Sequence, residues 1–441
     1  MDPATATPPI QEDCDTEPSS VWSWWPSWRP TSMSLLKTTE SKILACIQND
    51  LWARFVTLPN QDRIWTLTVT NKAKRNPAEQ AKKTPLVMVH GFGGGVGLWI
   101  RNLEALSRSR PVYAFDLLGF GRSSRPPFPS DAAKAEEQFV DSIEQWRQSV
   151  GLENMILLGH SLGGYLAASY AIQYPARVSH LILVDPWGFP ERPQSQNQEG
   201  QGQGAEVVKR PGPPRWVKAI AAVVSLFNPL AVIRAAGPWG PGLVNRFRPD
   251  FKRKFEDLFD DDTMTKYIYH CNAQTPSGEV GFRAMSESLG WAKRPMLQRV
   301  HLLPPSMPLT MLYGARSWVS SSSGDSVLQI RNKANTSVLL IDDASHHVYA
   351  DEPEEFNRVV ENPGQHRDGQ QLLQTQNVSM QYKHLNSSHN PEVSKNIKLN
   401  FGYVCVKYVQ NIIAVLCSFG EETKLRILIL IIFLIYIFYH N

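Results

Sequence analysis

The stretch MILLGHSLGGYLAASYAI, residues 155–172, decides how this chain is read. Residues 155–159 form an apolar run of strand length, and residues 166–172 continue as an apolar segment of helical length. Between them stand Gly159, His160, Ser161, Leu162 and Gly163, the pattern Gly-x-Ser-x-Gly. Such a tight strand-to-helix turn lifts the serine hydroxyl clear of the backbone. Glycine on either side lets strand and helix approach where a Cβ would clash. The following helix N-terminus favours negative charge developing beside it. Ser161 therefore reads as a nucleophile.

Working outward, a second apolar run over 86–89 leads into His90, Gly91, Phe92, Gly93, Gly94 and Gly95. A tetrahedral intermediate carries an oxyanion, and backbone N–H groups after this strand and after the nucleophile can hold it. Phe92 and Leu162 are the expected donors. A loop for a nucleotide phosphate is the competing reading of these glycines, but it lacks both the dinucleotide spacing and a P-loop lysine. A serine site also needs a base, which follows the last sheet strand when the triad runs serine, acid, histidine. Residues 337–341 are that strand, and Ala344, Ser345, His346 and His347 follow it. His346 is the expected base, with His347 as the fallback.

Further runs at 64–69, 112–116, 181–185 and 309–313 complete a set of short apolar strands separated by helix-length segments. That rhythm signals a mostly parallel sheet covered on both faces, with the site at the carboxyl ends of its strands. It breaks over 186–307, where a Gln/Gly-rich stretch at 194–206 precedes expected helices at 216–233 and 251–269. An insertion of this length between two strands is read as a lid. The expected class is α/β, with a catalytic domain over 55–361.

The 441 residues carry a net charge of +4, with 42% hydrophobic and 20% charged side chains. That is an ordinary globular composition, without the basic blocks that would predict nucleic-acid binding. The five cysteines form no Cys-x-x-Cys pair, so neither a disulfide framework nor a metal site is expected, and no cofactor is implied. A reducing compartment and a cytoplasmic location fit this usage. No secretory signal is read at the start, and the sequons at Asn335, Asn377 and Asn386 are taken as chance matches.

Residues 1–20 read as disordered. Over 21–50 the chain places Trp22, Trp24, Trp25 and Trp28 around Pro26, then Leu36, Ile43, Leu44 and Ile47 at near-helical spacing. Tryptophan settles at bilayer interfaces, so the cluster is read as a lipid-surface anchor, the alternative being a strap packed on the domain itself. The helix suits either lipid or core. The tail, 362–441, is polar and then apolar. Its run over 427–439 would span about 20 Å as a helix, short of a bilayer core of about 30 Å. Its composition resembles translated non-coding sequence as much as an interfacial anchor.

Four longer stretches carry a resemblance: the histidine-glycine segment 90–95, the run FDLLGFGRSSRP over 115–126, DPWGFP over 185–190, and RPDFKRK over 248–254. With the Trp cluster, they make the chain similar to the small family of α/β-hydrolase domain-containing proteins 4 and 5, most closely its hydrolytic member, over residues 22–361. The resemblance implies an α/β-hydrolase fold with the lid inserted after Asp185. It implies lipid substrates: the hydrolytic member is described as a lysophospholipase and phospholipase B acting on N-acylphosphatidylethanolamines, which leads towards N-acylethanolamines. The other member has Asn in place of Ser161 and serves as a lipase co-activator on lipid droplets. Both share a His-x-x-x-x-Asp pattern, here His346 to Asp351, that has been linked to acyl transfer onto lysophosphatidic acid. The implied partners are a phospholipid substrate, a membrane or lipid-droplet surface, and a lipase or droplet-coat protein. A catalytically silent scaffold is the alternative from a different class.

One departure concerns the acid. The family supplies Asp at about the position of Ser320, where this loop reads GARSWVS over 314–320. Asp185 is the expected replacement, with Asp325 as runner-up.

Overall fold

The computed structural model describes residues 31–73, 83–192, 229–235, 237–287, 290–331 and 333–362. Eight strands form one sheet: β1 (Asp50–Thr57), β2 (Arg63–Thr70), β3 (Leu86–Val89), β4 (Val112–Phe115), β5 (Met155–His160), β6 (Val178–Val184), β7 (Leu309–Gly314) and β8 (Thr336–Ile341). Their order across the sheet is β1-β2-β4-β3-β5-β6-β7-β8. β1 and β2 pair antiparallel, as do β2 and β4, and every pairing from β4 through β3 to β8 is parallel. The expected runs all became strands. β1 is an addition: it is an edge strand, half in solvent with Trp52, Ala53 and Arg54 exposed, so it lacks the apolar run that marks the central strands.

The central parallel strands are buried on both faces, and their side chains alternate between two cores. Val87 and Val89 of β3 and Leu181 and Leu183 of β6 join Phe139, Ile143, Trp146 and Leu166 on one face. Leu86 and Met88, with Ile182 and Val184, join Leu36, Leu103, Tyr267 and Phe356 on the other. The period of two assigns neighbours to opposite faces, and both faces are covered by helices. These are α1 (Met33–Leu44), α2 (Ile100–Leu106), α3 (Ala132–Val150), α4 (Leu162–Gln173), α5 (Pro229–Ala235), α6 (Gly240–Phe247), α7 (Pro249–Lys254), α8 (Thr263–Ala273), α9 (Gly278–Met285), α10 (Ser322–Ile330), α11 (Val348–Asp351) and α12 (Pro353–Glu361).

β3 has β4 on one side and β5 on the other, so the chain reverses its winding direction there. The crevice at such a switch point opens at the carboxyl ends of the two strands. Here those ends carry the glycine-rich loop and Ser161.

The choice left open for the amphipathic helix falls to the core. In α1, Leu36, Ile43 and Leu44 are buried in the second core, and Ser32 caps the helix by accepting from the Leu35 N–H at 3.1 Å. Its Glu40 is buried too, where it accepts from Trp65 Nε1 (2.8 Å) and Arg122 (2.9 Å). The helix expected over 251–269 is two helices, because the acidic run after Phe255 interrupts it. The first ends at Lys254, and Asp261 turns its carboxylate onto the Thr263 N–H at 2.9 Å, a local bond at the start of the second. Of the helix expected over 216–233, the part described is α5. The tryptophan cluster Trp22, Trp24, Trp25 and Trp28, the stretch 194–206 and the tail from 363 lie outside the described residues. Among the described residues no helix is long and apolar enough to cross a membrane.

Candidate active site

β5 ends at His160 and α4 starts at Leu162, leaving Ser161 alone in the turn with φ 54° and ψ −117°. A non-glycine residue holds this conformation only when its surroundings enforce it. Ser161 donates its N–H to Val184 O at 3.0 Å, and its carbonyl accepts from the N–H groups of Gly164 (3.0 Å), Tyr165 (3.1 Å) and Trp187 (3.2 Å). The flanking glycines are required by space. A Cβ on Gly159 would strike the Gly163 carbonyl, and one on Gly163 would strike the carbonyls of Val89 and His90. The close approach at Gly163 brings the end of β3 against the start of α4.

The loop after β3 is fixed from below. His90 donates from Nδ1 to Gly91 O at 2.7 Å and accepts the Leu117 N–H on Nε2 at 3.0 Å. Asp116, at the end of β4, accepts from the N–H groups of Val96 (2.8 Å) and Arg122 (2.7 Å). Gly91 is so near the nucleophile that a Cβ there would lie 3.0 Å from Ser161 Cβ. Phe92 follows it, its ring packed on Phe282 at 4.4 Å between centroids. Phe92 and Leu162 thus follow the ends of the neighbouring strands β3 and β5, at the switch-point crevice.

His346 comes from the loop after β8. Its Nε2 lies 3.0 Å from Ser161 Oγ and its Nδ1 lies 2.5 Å from Asp185 Oδ2. The neutral ring donates from Nδ1 to the carboxylate, which leaves Nε2 to accept the serine proton. Asp185 follows β6 directly, is wholly buried, and has φ 45°. Its N–H donates to Leu312 O at 2.7 Å. Its carboxylate also accepts from Ser317 Oγ and from the Gly314 N–H at 3.3 Å. Both of these donors belong to the end of β7 and the loop behind it, where the family would place the acid.

Of the two candidates for the acid, then, Asp185 meets the histidine. Asp325 is exposed in the first turn of α10, and the Ser320 hydroxyl shares a hydrogen bond with Ser322 Oγ at 2.8 Å. His347, the fallback base, packs between Phe251 and Tyr349, with ring centroids at 5.0 and 5.8 Å. Three residues beyond the sequence reading join the site. His160 donates from Nε2 to the His346 carbonyl at 2.8 Å, Ser317 holds Asp185, and the half-exposed Trp318 lies 5.0 Å from the His346 ring. Only position in the elbow singled out His160; nothing in the sequence marked the other two.

Electrostatics follow from burial. Desolvation pushes His346 down to about 3, and the positive charges of Arg248 and Lys254 act in the same direction. Asp185 is pushed up to about 7 by burial, resisted by Ser317, His160 and the Gly314 N–H. His160 is also held neutral, down to about 3, mainly by burial. The site thus keeps its imidazoles neutral and concentrates its negative charge on one hydrogen-bonded carboxylate. A serine, a neutral histidine and a buried carboxylate in hydrogen-bond sequence are equipped for acyl transfer through a covalent intermediate. No group of side chains suited to hold a metal ion occurs among the described residues.

A family model described as the alpha/beta hydrolase fold matches residues 84–353. The chain belongs to the α/β-hydrolase fold family. This α/β-hydrolase is 60% identical over 331 residues to a Bos taurus protein named (lyso)-N-acylphosphatidylethanolamine lipase, covering 75% of this chain and 92% of that one. It is 54% identical over 330 residues to a Mus musculus protein named 1-acylglycerol-3-phosphate O-acyltransferase, covering 75% and 89%. Among solved structures it resembles the carboxylesterase CesB of Bacillus subtilis, with a TM-score of 0.51 at 15% identity over 75% of this α/β-hydrolase and 97% of that chain, a likeness of fold alone.

Proposed function

We propose that this α/β-hydrolase is a serine lipase that cleaves acyl esters of (lyso)-N-acylphosphatidylethanolamine. The observation that carries the proposal is the unbroken hydrogen-bond sequence from Ser161 through His346 to Asp185 in a chain 60% identical to a lipase so named. In this reading His346 takes the Ser161 proton as Oγ attacks the ester carbonyl, and the amides of Phe92 and Leu162 hold the oxyanion. His346 then protonates the departing alcohol, water enters, and the fatty acid leaves from the acyl-enzyme. Asp185 fixes the imidazole tautomer throughout. The insertion over 186–307 serves as the lid, the segment with Trp22, Trp24, Trp25 and Trp28 as the lipid-surface anchor, and the protein acts peripherally on membranes or lipid droplets.

The experiment is fatty-acid release by the full chain from vesicles containing N-acylphosphatidylethanolamine, its lyso form, or phosphatidylethanolamine lacking the N-acyl group. Faster release from the N-acyl lipids supports the substrate. Equal rates on all three would leave an esterase without this headgroup preference. A second reading, acyl transfer onto lysophosphatidic acid, is favoured by the 54% identical acyltransferase and by the His346-to-Asp351 spacing. It needs only that a lysophospholipid hydroxyl replace water at the acyl-enzyme. The non-catalytic scaffold is disfavoured by a serine whose base and acid are both in hydrogen-bond reach.

The pH dependence follows from the Asp185–His346 pair. Activity needs the pair to carry its negative charge, and burial pushes Asp185 up to about 7. Protonation neutralises the carboxylate that orients Nδ1–H, so kcat/KM is expected to rise with pH and level off above neutrality. A pH–rate profile on a soluble ester, from about pH 5 to about pH 9, checks this, and a flat profile contradicts it.

A further inference from the structure

The two nitrogens of His346 are already committed, Nδ1 to Asp185 and Nε2 to Ser161. Asp351, the second member of the His-x-x-x-x-Asp spacing, makes its contacts elsewhere. Its Oδ2 accepts from the Ser345 N–H at 2.8 Å and the Ser345 hydroxyl at 2.6 Å, and its Oδ1 accepts from Lys254 Nζ. Lys254 also donates to Ser345 Oγ at 2.8 Å. This lysine ends α7, in the segment inserted between β6 and β7, and its side chain is only 10% exposed. Its backbone is fixed from the other side, since Arg101 of α2 donates from Nε (2.8 Å) and Nη2 (2.6 Å) to the Lys254 carbonyl.

We propose that Lys254, Asp351 and Ser345 form a latch by which the inserted segment positions the His346 loop, and that Asp351 is a positioning residue for the Ser161 site rather than the acid of a separate acyl-transfer centre. The proposal rests on the serine-lipase reading given above. Three observations support it. Ser345 immediately precedes His346, so a carboxylate holding both its N–H and its hydroxyl fixes the backbone from which the imidazole projects. A lysine and a carboxylate this far from solvent are costly to bury singly, which makes the pair an all-or-none contact. The same inserted segment places Phe251 against His347 at 5.0 Å, so displacement of α7 would release the loop at two points. With both His346 nitrogens taken, one constellation serves hydrolysis and transfer alike, and the acceptor that reaches the acyl-enzyme decides between them.

The test compares the full chain with Lys254→Met, Lys254→Arg and Asp351→Asn. The readouts are the rate of Ser161 modification by a fluorophosphonate, hydrogen exchange over residues 342–352, and hydrolysis and transfer of the same acyl donor. A histidine displaced by about an ångström costs on the order of 100-fold. Lys254→Met and Asp351→Asn are therefore expected to slow modification by about 10- to 100-fold. Exchange over the loop should quicken, the KM for a soluble ester should hold, and hydrolysis and transfer should fall in parallel. Lys254→Arg, which keeps the charge, recovers most of the rate. Loss of transfer in Asp351→Asn with hydrolysis intact would overturn the proposal, as would modification and exchange at wild-type rates in Lys254→Met. A wild-type chain that is not modified at all counts against the lipase reading instead. Exchange over 342–352 then still decides the latch, faster exchange in Lys254→Met supporting it and unchanged exchange overturning it.

Discussion

Asp185→Asn is expected to lower kcat by about 10⁴ while the protein stays folded and KM changes little. Asparagine fits the same space but presents an N–H or a neutral oxygen to His346 Nδ1, so it no longer selects the tautomer that leaves Nε2 free to accept the serine proton. The neighbours sharpen the expectation. Ser317 Oγ and the Gly314 N–H both donate to this carboxylate, an arrangement suited to an anion and mismatched to an amide. Asp325→Asn serves as the control. Asp325 is exposed on α10, and its replacement is expected to leave kcat within about twofold, since surface changes away from such features are small. Steady-state kinetics on a soluble ester, with thermal melts of both variants, check the pair. Equal losses in the two variants would contradict Asp185 as the acid.

The second large effect is Ser161→Ala, expected to remove on the order of 10⁶ in kcat, as loss of the nucleophile does where serine, histidine and acid act as a unit. The substitution removes one buried hydroxyl from a turn whose backbone bonds run to Val184, Gly164, Tyr165 and Trp187, so the fold is expected to survive. Hydrolysis of lipid and transfer to a lysophospholipid should vanish together, because both begin at the same acyl-enzyme. Fatty-acid release and acyl incorporation measured on one preparation check this. Transfer that persists in Ser161→Ala would require a second centre.

Much of this site was legible in the sequence. Gly159 and Gly163 announce a close strand-to-helix approach because a Cβ at either would strike backbone, and His346 follows from triad order once β8 is found. Asp185 was legible only as a candidate. Its place after a buried strand is visible, but its positive φ and the Ser317 hydroxyl on its carboxylate depend on the loop after β7, more than 120 residues away. Lys254 and Asp351 are nearly 100 residues apart, and no local pattern pairs them. α1 shows the limit of periodicity. Leu36, Ile43 and Leu44 define an apolar face, yet only their burial in the second core, with Glu40 meeting Trp65 and Arg122, settles that the face is held by protein. β1 escaped because an edge strand needs no continuous apolar run. For Asp185, Lys254, Asp351 and α1 the role was set by a partner distant in the chain, which spacing does not encode.

The measurement that bears most directly on the central claim is intact-mass and peptide analysis of the folded full chain after reaction with a fluorophosphonate. The account predicts one adduct per chain, on Ser161, forming rapidly in the wild type, absent in Ser161→Ala and slowed by orders of magnitude in Asp185→Asn. A folded wild-type chain that forms no adduct, or forms it on another residue, would contradict it.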